Sequence, residues 1–293
     1  MTYDTIIVGG GPAGLTAAIY ALRAGMKTLL LEQVSVGGQA ALAASIENYP
    51  GLPPTDGFSL SMSMYETAKS LGLETKLERA VAIDPARKWV TVTSGENYEG
   101  RTLILCMGAR ERELGLPNER ALVGKGVSYC ATCDGNFFRG KKVAVVGGGD
   151  TAVKDALYLQ NICAEVALIH RRDSFRAPDL EVGKLNREKI VFYLKHRVTE
   201  LLEREGRLSG VRLEDGSEVP ADGLFVAVGR LPNTGMLPES MLENGYVLTD
   251  EDMKTSFPGV FAAGDIRKKS LRQVVTAAGD GAVAANSAIE YLK

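Results

Sequence analysis

Short apolar runs and an alanine-rich helical stretch alternate at the start of the chain. Ile6–Val8 is apolar and precedes a glycine cluster at 9–14, after which alanines and leucines continue with helical spacing to Ala24. A second apolar run at 29–31 ends at Glu32. The order strand, glycine turn, helix, strand predicts a parallel β-α-β unit with the glycine turn at the helix N-terminus.

The same pattern recurs, without a gap, 138 positions further along the chain. Gly147 takes the place of Gly9, and Ala152 that of Gly14. Glycines at these spacings let the backbone approach a pyrophosphate at a helix N-terminus. One such turn could be a simple tight connection, but two complete units in register favour two dinucleotide sites. The turn residues expected at these sites are Gly9, Gly11, Pro12, Ala13 and Gly14 in the first unit and Gly147, Gly149, Asp150, Thr151 and Ala152 in the second.

The residues that end the second strand differ in charge between the two units. Glu32 ends this strand in the first unit, whereas His170 is followed by Arg171–Arg172 and then by Arg176 in the second. A carboxylate accepts hydrogen bonds from ribose hydroxyls and repels a 2'-phosphate, which guanidinium groups bind. We therefore expect an unphosphorylated adenosine ribose in the first unit and NADP in the second.

Short β-type runs separated by turn residues follow each unit. Those between 75 and 105 predict an antiparallel flap and a return strand, and those between 211 and 229 repeat the arrangement. The tail contains a strand that ends in Gly-Asp at 264–265 and an alanine-rich helix at 273–291. The second unit is complete by 229, so we assign the tail to the first domain.

The expected fold class is therefore α/β, with two three-layer, Rossmann-like dinucleotide-binding domains. The first domain is discontinuous and comprises residues 1–113 and 244–293. The second domain, residues 114–243, is inserted into it. Breaks in the pattern near Leu114–Gly115 and Glu243–Gly245 are the expected hinges between the domains.

Composition narrows the environment and the partners. A chain of 293 residues with 45% apolar content can bury two ordinary cores. A formal net charge of −2 gives no general attraction to nucleic acid or to anionic membranes, and neither partner is expected. The sequence has no signal-like N-terminus and no uncharged apolar run of membrane-spanning length, and four cysteines are too few for a secreted disulfide scaffold. We expect a cytoplasmic protein.

A Cys-Ala-Thr-Cys-Asp run at 130–134 lies just before the second glycine turn. Two thiols separated by two residues can close into a small disulfide ring, and a thiolate released from it is nucleophilic. A structural zinc site would need four ligands, no second Cys pair exists, and no metal is expected. A non-catalytic disulfide stays possible, but the neighbouring nucleotide unit favours redox cycling. Cys106 and Cys163 are interpreted as inert core thiols, and His196 as a structural residue.

Together these motifs resemble the bacterial-type NADPH-dependent thioredoxin reductases over essentially the whole chain. The matching segments are Gly-Gly-Gly-Pro-Ala-Gly at 9–14, Gly-Gly-Gln at 37–39, Glu-Asn-Tyr-Pro-Gly at 47–51, Cys-Ala-Thr-Cys-Asp-Gly at 130–135, His-Arg-Arg-Asp-Ser-Phe-Arg at 170–176, Ala-Ala-Gly-Asp at 262–265 and Leu-Arg-Gln at 271–273. The resemblance implies a homodimeric flavoprotein in which hydride passes from NADPH to FAD. Electrons then reduce the Cys130–Cys133 disulfide, and the resulting dithiol reduces thioredoxin or a thioredoxin-like protein by dithiol–disulfide exchange.

The resemblance also implies roles for individual residues. Cys133 faces the flavin, Cys130 attacks the substrate disulfide, and Asp134 moves protons to and from the thiols. The second domain holds NADPH through its glycine turn and through His170, Arg171, Arg172 and Arg176. The FAD site adds to the first glycine turn Glu32, Gln33, Gly37, Gly38, Gln39, Asn48, Val81, Gly108, Gly264, Asp265, Ile266, Arg272, Gln273 and Val274.

Two rival functions stay open: another electron route on the same fold, such as ferredoxin-linked disulfide reduction or dithiol oxidation, and a non-enzymatic sensing role. Ferredoxin-fed relatives tend to lack the arginine-rich phosphate site, and peroxidase-reductase relatives carry an additional N-terminal thioredoxin-like domain. A non-enzymatic redox sensor could use the disulfide as a switch.

Two local features stand apart: Lys154–Asp155 departs from the paired acids usual in the family, and Arg267–Lys269 is interpreted as a solvated loop rather than a docking patch.

Overall fold

The computed structural model describes residues 2–43 and 45–293 and divides the chain into two compact units. The first unit combines the chain up to Arg110 with the chain from Leu231 onward. The second unit runs from Glu111 to Arg230. One unit is thus inserted in the sequence of the other.

The N-terminal part of the first unit forms a central parallel sheet. Its elements are β1 (Thr2–Val8), α1 (Pro12–Arg23), β2 (Thr28–Glu32), α2 (Gly57–Ser70), β3 (Glu74–Leu77), β4 (Ala80–Asp84), β5 (Trp89–Val92) and β6 (Asn97–Leu105). The strand order is β3-β2-β1-β6-β5-β4, with β1 parallel to both β2 and β6. β4 and β5 pair antiparallel, as the flap predicted from the sequence.

The second unit repeats the plan. Its elements, with those at the two chain crossings, are β7 (Ala109–Glu111), β8 (Val127–Ser128), α3 (Ala131–Asp134), β9 (Lys142–Val146), α4 (Asp150–Leu159), β10 (Glu165–His170), α5 (Asp179–Val182), β11 (Ile190–Leu194), β12 (Val198–Arg204), β13 (Arg207–Leu213), β14 (Glu218–Pro220), β15 (Gly223–Val226) and β16 (Arg230–Pro232). A parallel sheet of order β11-β10-β9-β15-β8 lies beside the antiparallel sheet β12-β13-β14.

The C-terminal segment completes the first unit. It contains β17 (Leu242–Glu243), β18 (Tyr246–Val247), β19 (Val260–Ala262) and α6 (Val274–Leu292). β19 joins the parallel sheet beside β6, and α6 packs along α1. A Cβ on Gly281 would overlap the carbonyl of Ala13, so the glycine permits this close helix contact.

Each unit has an apolar core on both faces of its parallel sheet. In the first unit Ile7 and Ile104 pack with the alanines of α1 and α6, whereas Ile6 and Leu103 pack on the other face with the β4–β5 flap. Strand residues buried on both faces read as continuous apolar runs in the sequence. The α/β fold class with two Rossmann-like domains is confirmed.

The second boundary between the units differs from the predicted one. Residues 231–243 belong to the first unit, because Leu237 and Met241 pack in its core cluster with Leu103. Glu243–Gly245 leads into the turn of the β17–β18 hairpin, where Asn244 (φ 52°) and Gly245 (φ 82°) are left-handed. The segment is therefore a hairpin turn within one unit and not a hinge.

The loop at Leu114–Gly115, predicted as the other hinge, is anchored within the second unit. The buried Glu119 carboxylate accepts hydrogen bonds from the backbone N–H groups of Leu114 (2.9 Å) and Gly115 (2.8 Å) and from the Tyr129 hydroxyl (2.8 Å). The chain crosses between the units before this loop, near Arg110. Within the described residues, no helix is both long and apolar enough to span a bilayer.

Candidate active site

The first glycine turn is shaped by contacts that only glycine permits. Gly9 has a left-handed backbone (φ 107°), and a Cβ there would overlap the carbonyl of Cys106. A Cβ on Gly14 would in turn overlap the carbonyl of Gly9, whereas one on Gly11 would meet no atom within 4 Å. The turn is therefore closely packed at Gly9 and Gly14 and open at Gly11. On the open side the N-terminal N–H groups of α1 are available to an anion.

Glu32 is fixed beside this turn. The residue is 8% exposed, and its carboxylate accepts hydrogen bonds from the backbone N–H groups of Gly10 (2.7 Å) and Val34 (3.1 Å). Two bonds occupy only part of the acceptor capacity of an ionised carboxylate. The carboxylate therefore keeps lone pairs that are free to accept further hydrogen bonds.

Two further segments converge on the first glycine turn. Gly37 donates its N–H to the carbonyl of Gly10 (2.7 Å), and a Cβ on Gly38 would lie 3.3 Å from the Cα of Gly11. A Cβ on Gly264 would lie 2.9 Å from that of Ala13. The 3-10 turns Gly38–Leu42 and Gly264–Ile266 thus flank the glycine turn, and they carry Gln39, Asp265 and Ile266.

The other predicted FAD residues lie at several separate places in the first unit. Asn48 donates its side-chain N–H to Gln273 Oε1 (2.9 Å) at the start of α6, where Val274 is the first helical residue. The carbonyl of Gly108 accepts the Asn233 N–H (3.0 Å). Val81 is half-exposed on β4, the outer strand at the far edge of the sheet, and Gln33 directly follows β2.

The Arg267–Lys269 segment is not a solvated loop, and that interpretation was wrong. Asp280 of α6 pairs with Arg267 Nη1 (2.9 Å) and Lys269 Nζ (2.8 Å), and the three side chains are only 11–12% exposed. Asp280 Oδ2 also accepts the Gly264 N–H (3.0 Å). Lys268 pairs instead with Glu243 on the surface. Sequence analysis missed Asp280, which lies in a distant helix and in no local motif.

The second glycine turn packs against the residue that ends β10. A Cβ on Gly147 would overlap the Ala227 carbonyl, and one on Gly148 would overlap the ring of His170. The N–H of Arg176 donates to the carbonyl of Gly148 (2.7 Å). The segment 170–176 is thereby tied to the second glycine turn. Gly149, which precedes α4, lies close to the guanidinium of Arg176.

The His170 ring is buried against an aromatic side chain. It stacks on Phe175 at 5.7 Å, and burial, with the positive charge of nearby arginines, lowers its pKa. Its Nε2 is buried and, among the described residues, has no hydrogen-bond partner. Arg171, Arg172 and Arg176 are exposed around it. An uncompensated polar atom beside three exposed guanidinium groups suits a phosphorylated ribose.

At the start of α4, Asp150 pairs with Lys154 (2.7 Å) on the exposed face. The neighbouring Thr151 is exposed, and Ala152 is buried in the core of the unit. Burial raises the pKa of Asp155 to about 7, against the opposing charge of Arg230. The pair Lys154–Asp155 departs from the family pattern. Its lysine is exposed, whereas its aspartate is largely buried.

Cys130 and Cys133 form a disulfide at the one-turn helix α3. The N–H groups of Cys133 (3.3 Å) and Asp134 (3.1 Å) bond the carbonyl of Cys130, which brings the two sulfurs together. The turn rests on α4, because Gly135 leaves room for Tyr158, whose Cε1 would be 2.9 Å from a Cβ there.

Asp134 is half-buried beside the disulfide. Burial raises the pKa of its carboxyl group, and a hydrogen bond from the Ser128 hydroxyl (2.6 Å) opposes that rise. A carboxyl group with a raised pKa is suited to proton transfer near neutral pH. Ser128 lies outside the recognised motif, and only its position two residues before Cys130 could have drawn attention to it.

The remaining thiols and His196 have structural surroundings. Cys106 and Cys163 are free and buried, and burial raises the pKa of both, that of Cys163 to about 11. Thiols held protonated in this way are poor nucleophiles. His196 bridges the Leu194 carbonyl (2.7 Å) and the Asp215 carboxylate (3.1 Å) in the second unit.

Comparison with known proteins agrees with this geometry. The family profile described as pyridine nucleotide-disulphide oxidoreductase matches residues 3–281. The thioredoxin reductase of Bacillus subtilis (strain 168) is 42% identical, with 99% of this chain and 95% of that protein covered. The crystal structure of thioredoxin reductase from Streptococcus pyogenes MGAS5005 has a TM-score of 0.91 at 40% identity, with 99% of this chain and 98% of that chain covered.

A disulfide in a dinucleotide-binding unit and a second dinucleotide turn define a nucleotide-dependent disulfide oxidoreductase. The chain belongs to the pyridine nucleotide-disulphide oxidoreductase family and, within it, to the bacterial-type thioredoxin reductases. A further relative, the thioredoxin reductase of Listeria innocua, is 43% identical over 99% of this chain and 94% of its own length.

The residues present fit the cofactors of this family, FAD and NADPH. In the first unit Arg272 Nε is buried and, within the described part of the chain, has no hydrogen-bond partner, although its guanidinium lies 4.4 Å from the Tyr246 ring centroid. In the second unit the same holds for His170 Nε2. Buried polar atoms of this kind are normally satisfied, and both lie in segments predicted to contact a cofactor.

Proposed function

We propose that this protein is an NADPH-dependent thioredoxin-disulfide reductase that passes electrons through FAD and the Cys130–Cys133 disulfide to a thioredoxin-like protein. The observation that carries the proposal is the disulfide, which lies next to Asp134 and in the same unit as the second dinucleotide turn.

Free buried thiols at Cys106 and Cys163 suit a reducing compartment, and we place the protein in the cytoplasm. A nucleic-acid partner is not proposed, because the chain carries a slightly negative net charge.

The glycine turn and the segments that converge on it would hold FAD in the first unit, with Glu32 at the ribose. When bound, FAD supplies two-electron transfer between a nicotinamide and a disulfide. The second unit would hold NADPH, with the α4 N-terminus at the pyrophosphate and the arginines of 171–176 at the 2'-phosphate. The FAD residues proposed are those of Gly9–Gly14, Glu32, Gln33, Gly37, Gly38, Gln39, Asn48, Val81, Gly108, Gly264, Asp265, Ile266, Arg272, Gln273 and Val274.

The reduced dithiol performs the exchange with the protein substrate. The thiolate of Cys130 attacks one sulfur of the substrate disulfide, and a mixed disulfide forms as a substrate thiolate leaves. Cys133 then attacks Cys130 Sγ and releases the second substrate thiolate. Asp134 accepts a proton from a thiol of the pair and returns it to a leaving sulfur.

The proposed activity is tested by anaerobic bleaching of the flavin absorbance with NADPH, followed by addition of oxidised thioredoxin. We expect bleaching by NADPH and recovery of the absorbance when thioredoxin is added. Bleaching without recovery would point to another electron acceptor. Absence of bleaching by NADPH or NADH would contradict the reductase function and favour a ferredoxin-fed or sensing role.

Replacing Arg171 with alanine is expected to lower kcat/KM for NADPH about 10- to 150-fold, because a charge-assisted hydrogen bond contributes about 1.5–3 kcal/mol. The value for NADH, which lacks the 2'-phosphate, should be unchanged. The same result is expected for Arg172→Ala or Arg176→Ala. Arg204→Ala, an exposed arginine on the β12 hairpin, is the matched control. Equal losses with both nucleotides would refute the assignment of these arginines to the phosphate.

We propose that the protein is a homodimer, as the family resemblance implies, and that a second copy covers the groove between α1, α2 and α6. This groove has a volume of about 470 Å³ and is lined by residues such as Tyr20, Met64 and Val275. We expect Val275→Asp to convert a dimer into a monomer in sedimentation experiments, since an interface core excludes unpaired charge. Val191→Asp, at an exposed valine of the second unit, should stay dimeric. A monomeric wild type, or a dimeric Val275→Asp variant, would refute this interface.

A further inference from the structure

The hydroxyl of Ser128 connects the two ends of the dithiol turn. Ser128 is buried on β8, and its Oγ lies 2.6 Å from Asp134 Oδ2, 3.1 Å from the N–H of Cys130 and 3.4 Å from the carbonyl of Cys130. A hydroxyl has one proton to donate, and the nearest acceptor is the carboxylate, which forms the stronger, charge-assisted bond. The proton is therefore committed to Asp134, and an oxygen lone pair accepts the N–H of Cys130.

Ser128 is also the side chain that acts on Asp134 most directly. The titratable groups on the elements around α3 include Asp155 and Tyr158 on α4 and Arg139 after the following 3-10 turn. Within the described residues, none of these forms an ion pair or hydrogen bond with Asp134. The carboxyl group thus responds to two opposing influences, which are burial and the Ser128 hydrogen bond.

We propose that Ser128 is a positioning residue for thiol–disulfide exchange, which holds the Asp134 carboxylate at the dithiol and ties it to the backbone of Cys130. This inference rests on the proposed proton-transfer role of Asp134. In the exchange Cys130 and Cys133 lose two electrons and two protons as their S–S bond forms, and the substrate disulfide gains both as its S–S bond breaks. One proton passes through Asp134, the other exchanges with solvent, and Ser128 retains its own.

The sign of the expected effect follows from the hydrogen bond. Donation from Ser128 stabilises the ionised carboxylate and lowers the pKa of Asp134, whereas burial raises it. Removal of the hydroxyl leaves burial unopposed. The pH inflection that depends on Asp134 should then move upward by about one to two pH units, which is the scale of a hydrogen bond to a charged group.

The experiment measures, from pH 5 to 9, the rate at which the reduced holoenzyme reacts with oxidised thioredoxin in a single turnover. Alkylation of the reduced dithiol by iodoacetamide over the same range gives a second readout that is independent of turnover. The variants are Ser128→Ala and, as a second hydroxyl-free form should alanine not fold, Ser128→Gly. Ser128→Thr retains a hydroxyl. Ser287→Ala is the matched control, because Ser287 is a buried serine whose hydroxyl bonds only a backbone carbonyl in the described structure (2.7 Å).

The expected result is an upward shift of the inflection in both assays for the hydroxyl-free variants and a wild-type profile for Ser128→Thr and Ser287→Ala. Asp134→Asn should remove the inflection and lower the exchange rate about 10²-fold. If Asp134→Asn behaves as wild type, the proposed role of Asp134 fails, and the inference fails with it. If Asp134→Asn has its expected effect but the hydroxyl-free variants keep the wild-type inflection, the positioning role of Ser128 alone is overturned.

Discussion

Replacing Cys130 with serine is expected to lower kcat/KM for oxidised thioredoxin by at least ~10³-fold, as removal of a nucleophile does in enzymes that act through one. Serine cannot form the disulfide with Cys133, and its hydroxyl is un-ionised at neutral pH. Cys133→Ser should have a loss of similar size, because both steps of the exchange need the pair. The measurement is NADPH oxidation at 340 nm with thioredoxin as the varied substrate.

The control for this prediction lies within the same unit. Cys163→Ser replaces a free, buried thiol whose pKa is raised by burial, and we expect its thioredoxin reduction to stay within about threefold of wild type. Bleaching of the flavin absorbance by NADPH should survive in all three variants. Substantial thioredoxin reduction by Cys130→Ser would show that another group transfers the electrons.

The second large effect concerns Asp280. We expect Asp280→Asn to destabilise the first unit by about 3–5 kcal/mol, because it leaves Arg267 and Lys269 largely buried without their counter-ion. The amide can still accept the Gly264 N–H at its oxygen, but two positive charges would then repel beside the turn Gly264–Ile266. We therefore also expect weaker FAD retention. Denaturant unfolding and the FAD content after dialysis measure the two effects.

Glu243→Gln is the control variant. Glu243 pairs with Lys268, which lies between Arg267 and Lys269, but both side chains of this pair are half-exposed. An exposed pair contributes about 0–1 kcal/mol. We expect unfolding and FAD content close to wild type for this variant. Equal destabilisation by the two substitutions would mean that burial of the Asp280 cluster is not what stabilises the unit.

Much of the fold followed from local sequence patterns. The order Ile6–Val8, glycine turn, helix and Glu32 is a continuous signal, and its recurrence identified the second unit. Both turns require close approach of backbone segments, and glycines are the residues that permit it. The predicted α/β class therefore depended on information contained within about 30 residues at each site.

The errors arose where distant residues decide the outcome. Glu243–Gly245 has the composition of a linker, but Asn-Gly pairs serve hairpin turns equally well, and the packing of Leu237 and Met241 decides the boundary. A run of three basic residues at Arg267–Lys269 has the composition of a surface loop. The burial of Arg267 and Lys269 depends on Asp280, which no local pattern connects to them. The hydrogen bond between Ser128 and Asp134 joins residues that are close in sequence, but its geometry depends on the fold of α3.

The contact between Gly148 and His170 has a consequence for the redesign of coenzyme preference. The imidazole occupies the space that a side chain at 148 would need, and the Arg176 N–H bonds the Gly148 carbonyl. The turn 147–149, proposed to bind the phosphates, and the segment 170–176, proposed to bind the ribose, therefore pack as one structural unit. We therefore expect that a graft of 170–176 from an NADH-dependent enzyme also requires the residues 147–149 of that enzyme. Coenzyme preference would then be transferred by the two segments together and not by the end of one strand.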